Sequence, residues 1–206
     1  MTMRVSATEI DAFRYYRDNE EAELDPLLAQ LRRQMEPTEP MLAGRAFHKA
    51  LELAEPGEVG VFEQDGYRFE IATDADIDIP DVRELKATRD YVIDGFSVTL
   101  VGMVDAIHGR RVDDHKTTAR FDPERFLDSY QWRIYLEVFG ADEFRWNVFE
   151  WSNSERDPKT YVIRAVHPLT MYRYPGLAGD VERELEAFVT FARQHLPERL
   201  EIGEVA

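Results

Sequence analysis

The sequence predicts one mixed α/β (α+β) domain with a mixed central sheet flanked by helices. Three observations predict it. The apolar period shifts along the chain from helical spacing to two, then back to helical spacing with strands interspersed. Asp65-Gly66, Asp94-Gly95 and His108-Gly109-Arg110 punctuate the stretch of period two with turn chemistry. The chain has 206 residues, 44% hydrophobic and 12% aromatic, which suits a single buried core. Residues 1–206 are accordingly read as one domain, with 1–40 as an N-terminal helical extension.

The elements follow in order. Ser6-Ala7-Thr8-Glu9 has the pattern of a capping box. Ile10 and Phe13 continue a short helix from it. Leu24, Leu27, Leu28 and Leu31 stripe a second helix over 24–35, and Pro37 and Pro40 interrupt the chain. Leu42 to Leu53 reads as a third helix with Phe47 and Leu51 on one side, ended by Pro56-Gly57. Val59 to Phe62 and Tyr67 to Thr73 flank Asp65-Gly66 as a hairpin. Asp74 to Asp81 is an acidic connector. Val82 to Ile93, Phe96 to Ile107 and Arg111 to Thr117 read as further strands, and the whole stretch as an antiparallel meander. Pro123 to Phe139 returns to helical spacing through Phe126, Tyr130, Ile134 and Leu136. Phe144 to Trp151 and Thr160 to Val166 are strands, and Gly176 to Leu196 is a long helix.

Composition excludes several chemistries. There is no cysteine, so thiolate zinc sites, cysteine-held iron–sulfur clusters and cysteine nucleophiles are absent. A metal must sit on carboxylate, imidazole or carbonyl donors, and hard oxygens suit magnesium or manganese. No apolar run is long enough to span a bilayer, and the first residues lack the apolar core of a secretory signal. A cytoplasmic protein without membrane contact is expected. Lys and Arg total 25 against 41 Asp and Glu, a net charge of −16. Such a chain repels phosphate as a whole. Either DNA is not its substrate, or basic residues gather locally, or the acidic surface serves solubility or a protein partner.

Gly102-Met103-Val104-Asp105 and Asp114-His115-Lys116 carry the strongest chemical signal. A tight turn between their strands brings both carboxylates to one region. Two close carboxylates repel unless a cation neutralises them. The His115 carbonyl adds an oxygen donor. Lys116 stands two residues beyond Asp114, hence on the same strand face. Its ammonium could assist an attacking water or stabilise phosphate charge. Each residue alone has a plainer reading: Asp105 as a strand-end acid, Asp114 and Lys116 as an exposed ion pair. Gly102 allows close backbone approach. His48 and Glu52 share a helix face four residues apart; His48 is a candidate nitrogen ligand, Glu52 a solvated charge. Gln131 and Tyr135, also one turn apart, could meet water, phosphate or a base. Arg32-Arg33, Arg45 with Lys49, and Arg110-Arg111 are candidate phosphate contacts.

In this order the motifs resemble the RecB-like branch of the PD-(D/E)XK nuclease superfamily: G-x-x-x-H at Gly44 to His48, G-x-x-D at Gly102 to Asp105, D-x-K-T at Asp114 to Thr117, and Q-x-x-x-Y at Gln131 to Tyr135. Val5 to Phe13 resembles the group's S-x-S-x-I-x-x-F opening. The resemblance implies a restriction-endonuclease-like αβββαβ core. It implies that His48, Asp105, Asp114 and the His115 carbonyl hold magnesium or manganese. Asp105, Asp114 and Lys116 would be catalytic, and Gln131, Tyr135 and Arg45 would support the site and the DNA. Glu84 is a further acid to compare. Iron–sulfur relatives carry a cysteine where Tyr15-Tyr16 stands here, so the expectation is a cluster-free, stand-alone, phage-type exonuclease. Its partners would be a double-stranded DNA end or a single strand, and a recombination or helicase protein. Two other readings stay open: a catalytically silent binding or regulatory module on the same fold, and an unrelated α+β domain with Asp105 and Asp114 far apart.

Overall fold

A computed structural model describes residues 2–55, 60–73 and 82–200. Its hub is the strand β5, Phe96–His108. One edge of β5 pairs antiparallel with β4, Val82–Ile93, along nearly its whole length. The other edge is shared. β1, Thr2–Ser6, runs parallel along Ser97 to Val101. β6, Arg111–Thr118, pairs antiparallel with Ala106 to His108 alone. β7, Glu143–Asn153, lies parallel to β6, and β8, Thr160–Tyr172, antiparallel to β7. The hairpin β2–β3, Val61–Gln64 and Tyr67–Ile71, docks its second strand parallel to β8.

Several expectations need correction. The hairpin turns as read, with Asp65 at φ 50° and Gly66 at φ 79°, but it does not continue into the β4–β5–β6 meander. It closes the far end of the sheet instead. The chain starts on a strand rather than a helix. Met3 and Val5 alternate inward, a two-residue signal too short to read beside a capping box. The helix expected over 123–139 is two: α4, Pro123–Asp128, and α5, Gln131–Phe139. The third helix, α3, spans Glu39–Leu53 and takes Pro40 into its first turn, where a missing N–H costs nothing. α1 spans Ala7–Asp18 with the full capping box of Ser6 and Glu9. α2, Leu24–Leu31, stops short of Met35. The acidic connector 74–81, Val59 and Pro56-Gly57 lie outside the described residues.

The sheet separates two cores. α1, α2, α5 and α6, Leu177–His195, pack the larger one, which holds Ile10, Phe13, Leu100, Trp146 and Phe188. α3 covers the smaller one with Phe47 against Phe69, Phe149 and Trp151. Residues 2–31 are part of the sheet and the larger core. No described helix is long and apolar enough to cross a membrane.

Candidate active site

The site lies where the sheet forks. Pairing between β5 and β6 ends at Ala106↔Asp113, so Asp105 and Asp114 would be the next partners in register. They do not pair through the backbone. The Asp105 carboxylate reaches across and accepts the His115 backbone N–H instead. β6 then follows β7 while β5 turns to β1, and residues 102–105 of β5 are left without a strand on that edge. Both carboxylates therefore stand at the mouth of one fork, and the Asp105 charge acts on Asp114. The unrelated-domain reading, which needed them far apart, is overturned by this register.

α3 delivers His48 to the same point, with Nδ1 3.1 Å from Asp105 Oδ1. It can do so because Gly44, one turn earlier, lies against β6: a Cβ there would stand 3.2 Å from Thr117 Oγ1. Lys116 forms an ion pair with Asp114 and lies 5.1 Å over the Trp146 ring. α5 reaches the fork over Gly102, whose missing side chain makes room for Tyr135 and Phe139. Burial and the Asp114 charge raise the Tyr135 hydroxyl well above its ordinary value. At 5% exposure Tyr135 is a support beneath the carboxylate, not a platform open to a base. Glu84 occupies the β4 slot opposite Asp105, in left-handed backbone at φ 52°, and burial with the Asp105 and Glu52 charges raises its carboxyl.

Electrostatics set the two aspartates apart. Burial raises Asp114, and the Asp105 charge adds to this while Lys116 opposes it; the result is a carboxyl pushed up to about 6. Burial would raise Asp105 too, but its hydrogen bond to His48 and the charges of His48, His115 and Lys116 hold it well below the ordinary range. Burial opposes protonation of His48, yet the hydrogen bond and charge of Asp105 outweigh it and raise that imidazole. His115 points elsewhere. Burial lowers it to about 4, and its Nδ1 meets Asn147 Nδ2 at 3.4 Å. Among the described residues no three His, Asp or Glu side chains form a ready metal-binding group. The Asp105 and Asp114 oxygens are engaged by His48, the His115 N–H and Lys116. The donor chemistry nonetheless fits a hard divalent cation: two buried carboxylates at one fork, one of them raised by burial and further by the charge of the other.

The remaining expected residues divide. Gln131 lines a cleft of about 1050 Å³ with Asp11, Arg14, Tyr15, Lys116 and Trp146. Arg45 is exposed on α3. Glu52 pairs with Lys49 at 2.6 Å. Arg32 is engaged by Glu198 at 2.8 Å, Arg110 by Asp142 and Arg111 by Asp113 at 2.8 Å. Sequence reading missed Asp11, Asp113, Trp146 and Asn147. Asp113, 1% exposed, accepts from Arg111 and from Asn147 Nδ2 at 3.3 Å. Its only signal was a second acid in the Asp113-Asp114 pair. Asp11 sits inside the opening motif, and nothing local announced its contacts with residues 129–131.

No family model matches the chain, and no curated protein does. A phage-related exonuclease from Haemophilus somnus 129PT aligns over 96% of this chain and 96% of its own, at 10% identity and TM-score 0.51. The fold is restriction-endonuclease-like. The protein SSO0001 shares that fold over 91% of this chain and 76% of its own, at 15% identity and TM-score 0.55. LHK-Exo in complex with dAMP aligns at 15% identity, over 94% and 90% of the two chains, but at TM-score 0.42 it adds nothing to this. At these identities the likeness establishes the restriction-endonuclease-like fold and leaves the chemistry to the site.

Proposed function

We propose that the chain is a divalent-metal-dependent deoxyribonuclease, an exonuclease of recombination, repair or phage DNA processing. The observation that carries this is the pair Asp105 and Asp114 at the strand fork, with Lys116 on Asp114. Asp105, Asp114, the His115 carbonyl and His48 would hold magnesium or manganese. When bound, the ion supplies positive charge at the phosphate and makes water more acidic. The chain's own groups do the rest. The His115 N–H and His48 fix the Asp105 carboxylate. The Lys116 ion pair fixes Asp114. The Lys116 ammonium, 5.1 Å over the Trp146 ring, is placed to stabilise phosphate charge that grows in the transition state. The cleft between α1, α2 and α4 gives a strand end access to that lysine.

The test is cleavage of end-labelled linear and circular DNA with magnesium, manganese and chelator. Metal-dependent shortening of the linear form alone is the expected result. Asp114→Ala should lower the rate by on the order of 1000-fold while the circular dichroism spectrum is unchanged. Wild-type cleavage by Asp114→Ala would sink the assignment. The silent-module reading predicts neither cleavage nor calorimetric binding of manganese, and nothing in the fork favours it.

A further inference from the structure

Lys116 rests on two groups of different kinds. One is the Asp114 carboxylate, with which its ammonium forms an ion pair. The other is the face of Trp146, whose ring centroid lies 5.1 Å from Nζ. The strand register makes this arrangement. Trp146 on β7 pairs with Asp114 on β6, and Lys116 stands two residues further on, so all three side chains leave the same face of the sheet. The ring itself is fixed. Trp146 is 1% exposed, and its Nε1 donates to the Phe126 carbonyl at 3.1 Å. Phe126 and Phe144 meet it at steep interplanar angles of 60° and 78°. Lys116 is freer: its side chain is 34% exposed and borders the cleft.

The two supports are not equivalent on the nuclease reading, on which this inference rests. Once Asp114 ligates a divalent cation, its carboxylate no longer answers Lys116 alone, and two positive charges stand side by side. A flexible four-carbon stem then swings into solvent unless something else attracts its ammonium. We propose that Trp146 is a positioning residue for Lys116: its ring face holds the ammonium at the cleft by a cation–π contact when Asp114 is engaged by metal. A ring suits this better than a second acid. Its face attracts a cation through the quadrupole, yet it carries no net charge. It neither competes for the metal nor cancels the lysine charge. The ammonium stays in place with its full charge available to the phosphate.

Tryptophans of increasing fluorination, placed at position 146 alone, separate this role from packing. Fluorine drains the ring face of negative charge and scarcely alters its shape. The expected result is a kcat on linear DNA that falls stepwise with each fluorine, by on the order of tenfold over the series. KM and melting temperature should stay near wild type. A kcat unchanged across the series overturns the proposal. A second measurement needs no turnover. The lysines of this chain are Lys49, Lys86, Lys116 and Lys159, so the Lys116 ε-methylene protons can be assigned by NMR from the signal missing in Lys116→Met. In wild type the Trp146 ring current should shift them upfield. Asp114→Asn removes the charged partner without any metal, and the upfield shift should persist in it. Loss of the shift there would show that the carboxylate alone places the lysine, and the holding role falls. A wild-type protein that cuts no DNA would remove the nuclease reading, and the NMR result would still decide whether the ring holds the ammonium.

Discussion

At the scale of single residues, the site rests on how few atoms hold each carboxylate. Asp114 is buried and raised to about 6, so its charge depends on Lys116. Lys116→Met keeps the apolar contact over Trp146 and removes the ammonium. Cleavage should fall by about 100-fold or more, read as kcat on linear DNA, with the fold retained by circular dichroism. Asp105, Asp114, His115 and Lys116 were legible in the sequence because they lie close together along it and share one strand pair. His48 was legible only as part of a spacing pattern, since its contact with Asp105 joins helix α3 to strand β5, 57 residues apart in sequence. Asp11 was not legible at all. Its partners at 129–131 are joined to it by tertiary packing, and an aspartate inside a helix otherwise reads as a solvated charge.

At the scale of elements, the fork exists because α5 can lie flat on β5 at Gly102. A Cβ there would stand 3.0 Å from Phe139 Cε2 and 3.2 Å from Tyr135 Cδ1. Gly102→Ala should thus cost about 1–3 kcal/mol, measured by urea unfolding. It should slow cleavage further than the stability loss explains, because a shifted α5 moves Tyr135, which packs over Gly102 and feels the Asp114 charge. An unchanged midpoint and rate would show that α5 moves away freely. Strand and helix types followed well from periodicity, whereas connections did not. The break between α4 and α5 is made by Asp11 accepting the Tyr130 N–H, a contact outside any sequence window. β2–β3 looked continuous with the meander because hairpin chemistry states where a chain turns and not which edge the hairpin later joins.

At the scale of the whole molecule, each face of the sheet has its own core, and the smaller one carries α3. Phe47 is fully buried, with ring centroids 4.8 Å from Phe149 and 5.1 Å from Phe69. Phe47→Ala should cost about 3–5 kcal/mol, seen in the denaturation midpoint, and should release His48 from the fork. The net charge of −16 bears on DNA affinity. Arg32, Arg110 and Arg111 are engaged by acids and so withdrawn from phosphate contact. Raising salt from about 50 to 200 mM should then weaken binding by much less than the roughly 10³–10⁵-fold expected for six to ten phosphate contacts. Fluorescence anisotropy with labelled DNA measures this, and a steep slope would point to a basic track. The pairing of β1 with β5 has a consequence for synthesis. Thr2 leaves the ribosome early, yet its partner Ser97 follows only after α1, α2, α3 and three other strands. Helix α1 can close its capping box at once from local contacts, but the strand ahead of it has no edge to join. The fork is thus completed late, once a contact distant in sequence has overcome its loop-closure entropy. A nascent chain halted before β5 would hold its first helix and still lack the strand edge on which Asp105 and Asp114 are later arranged.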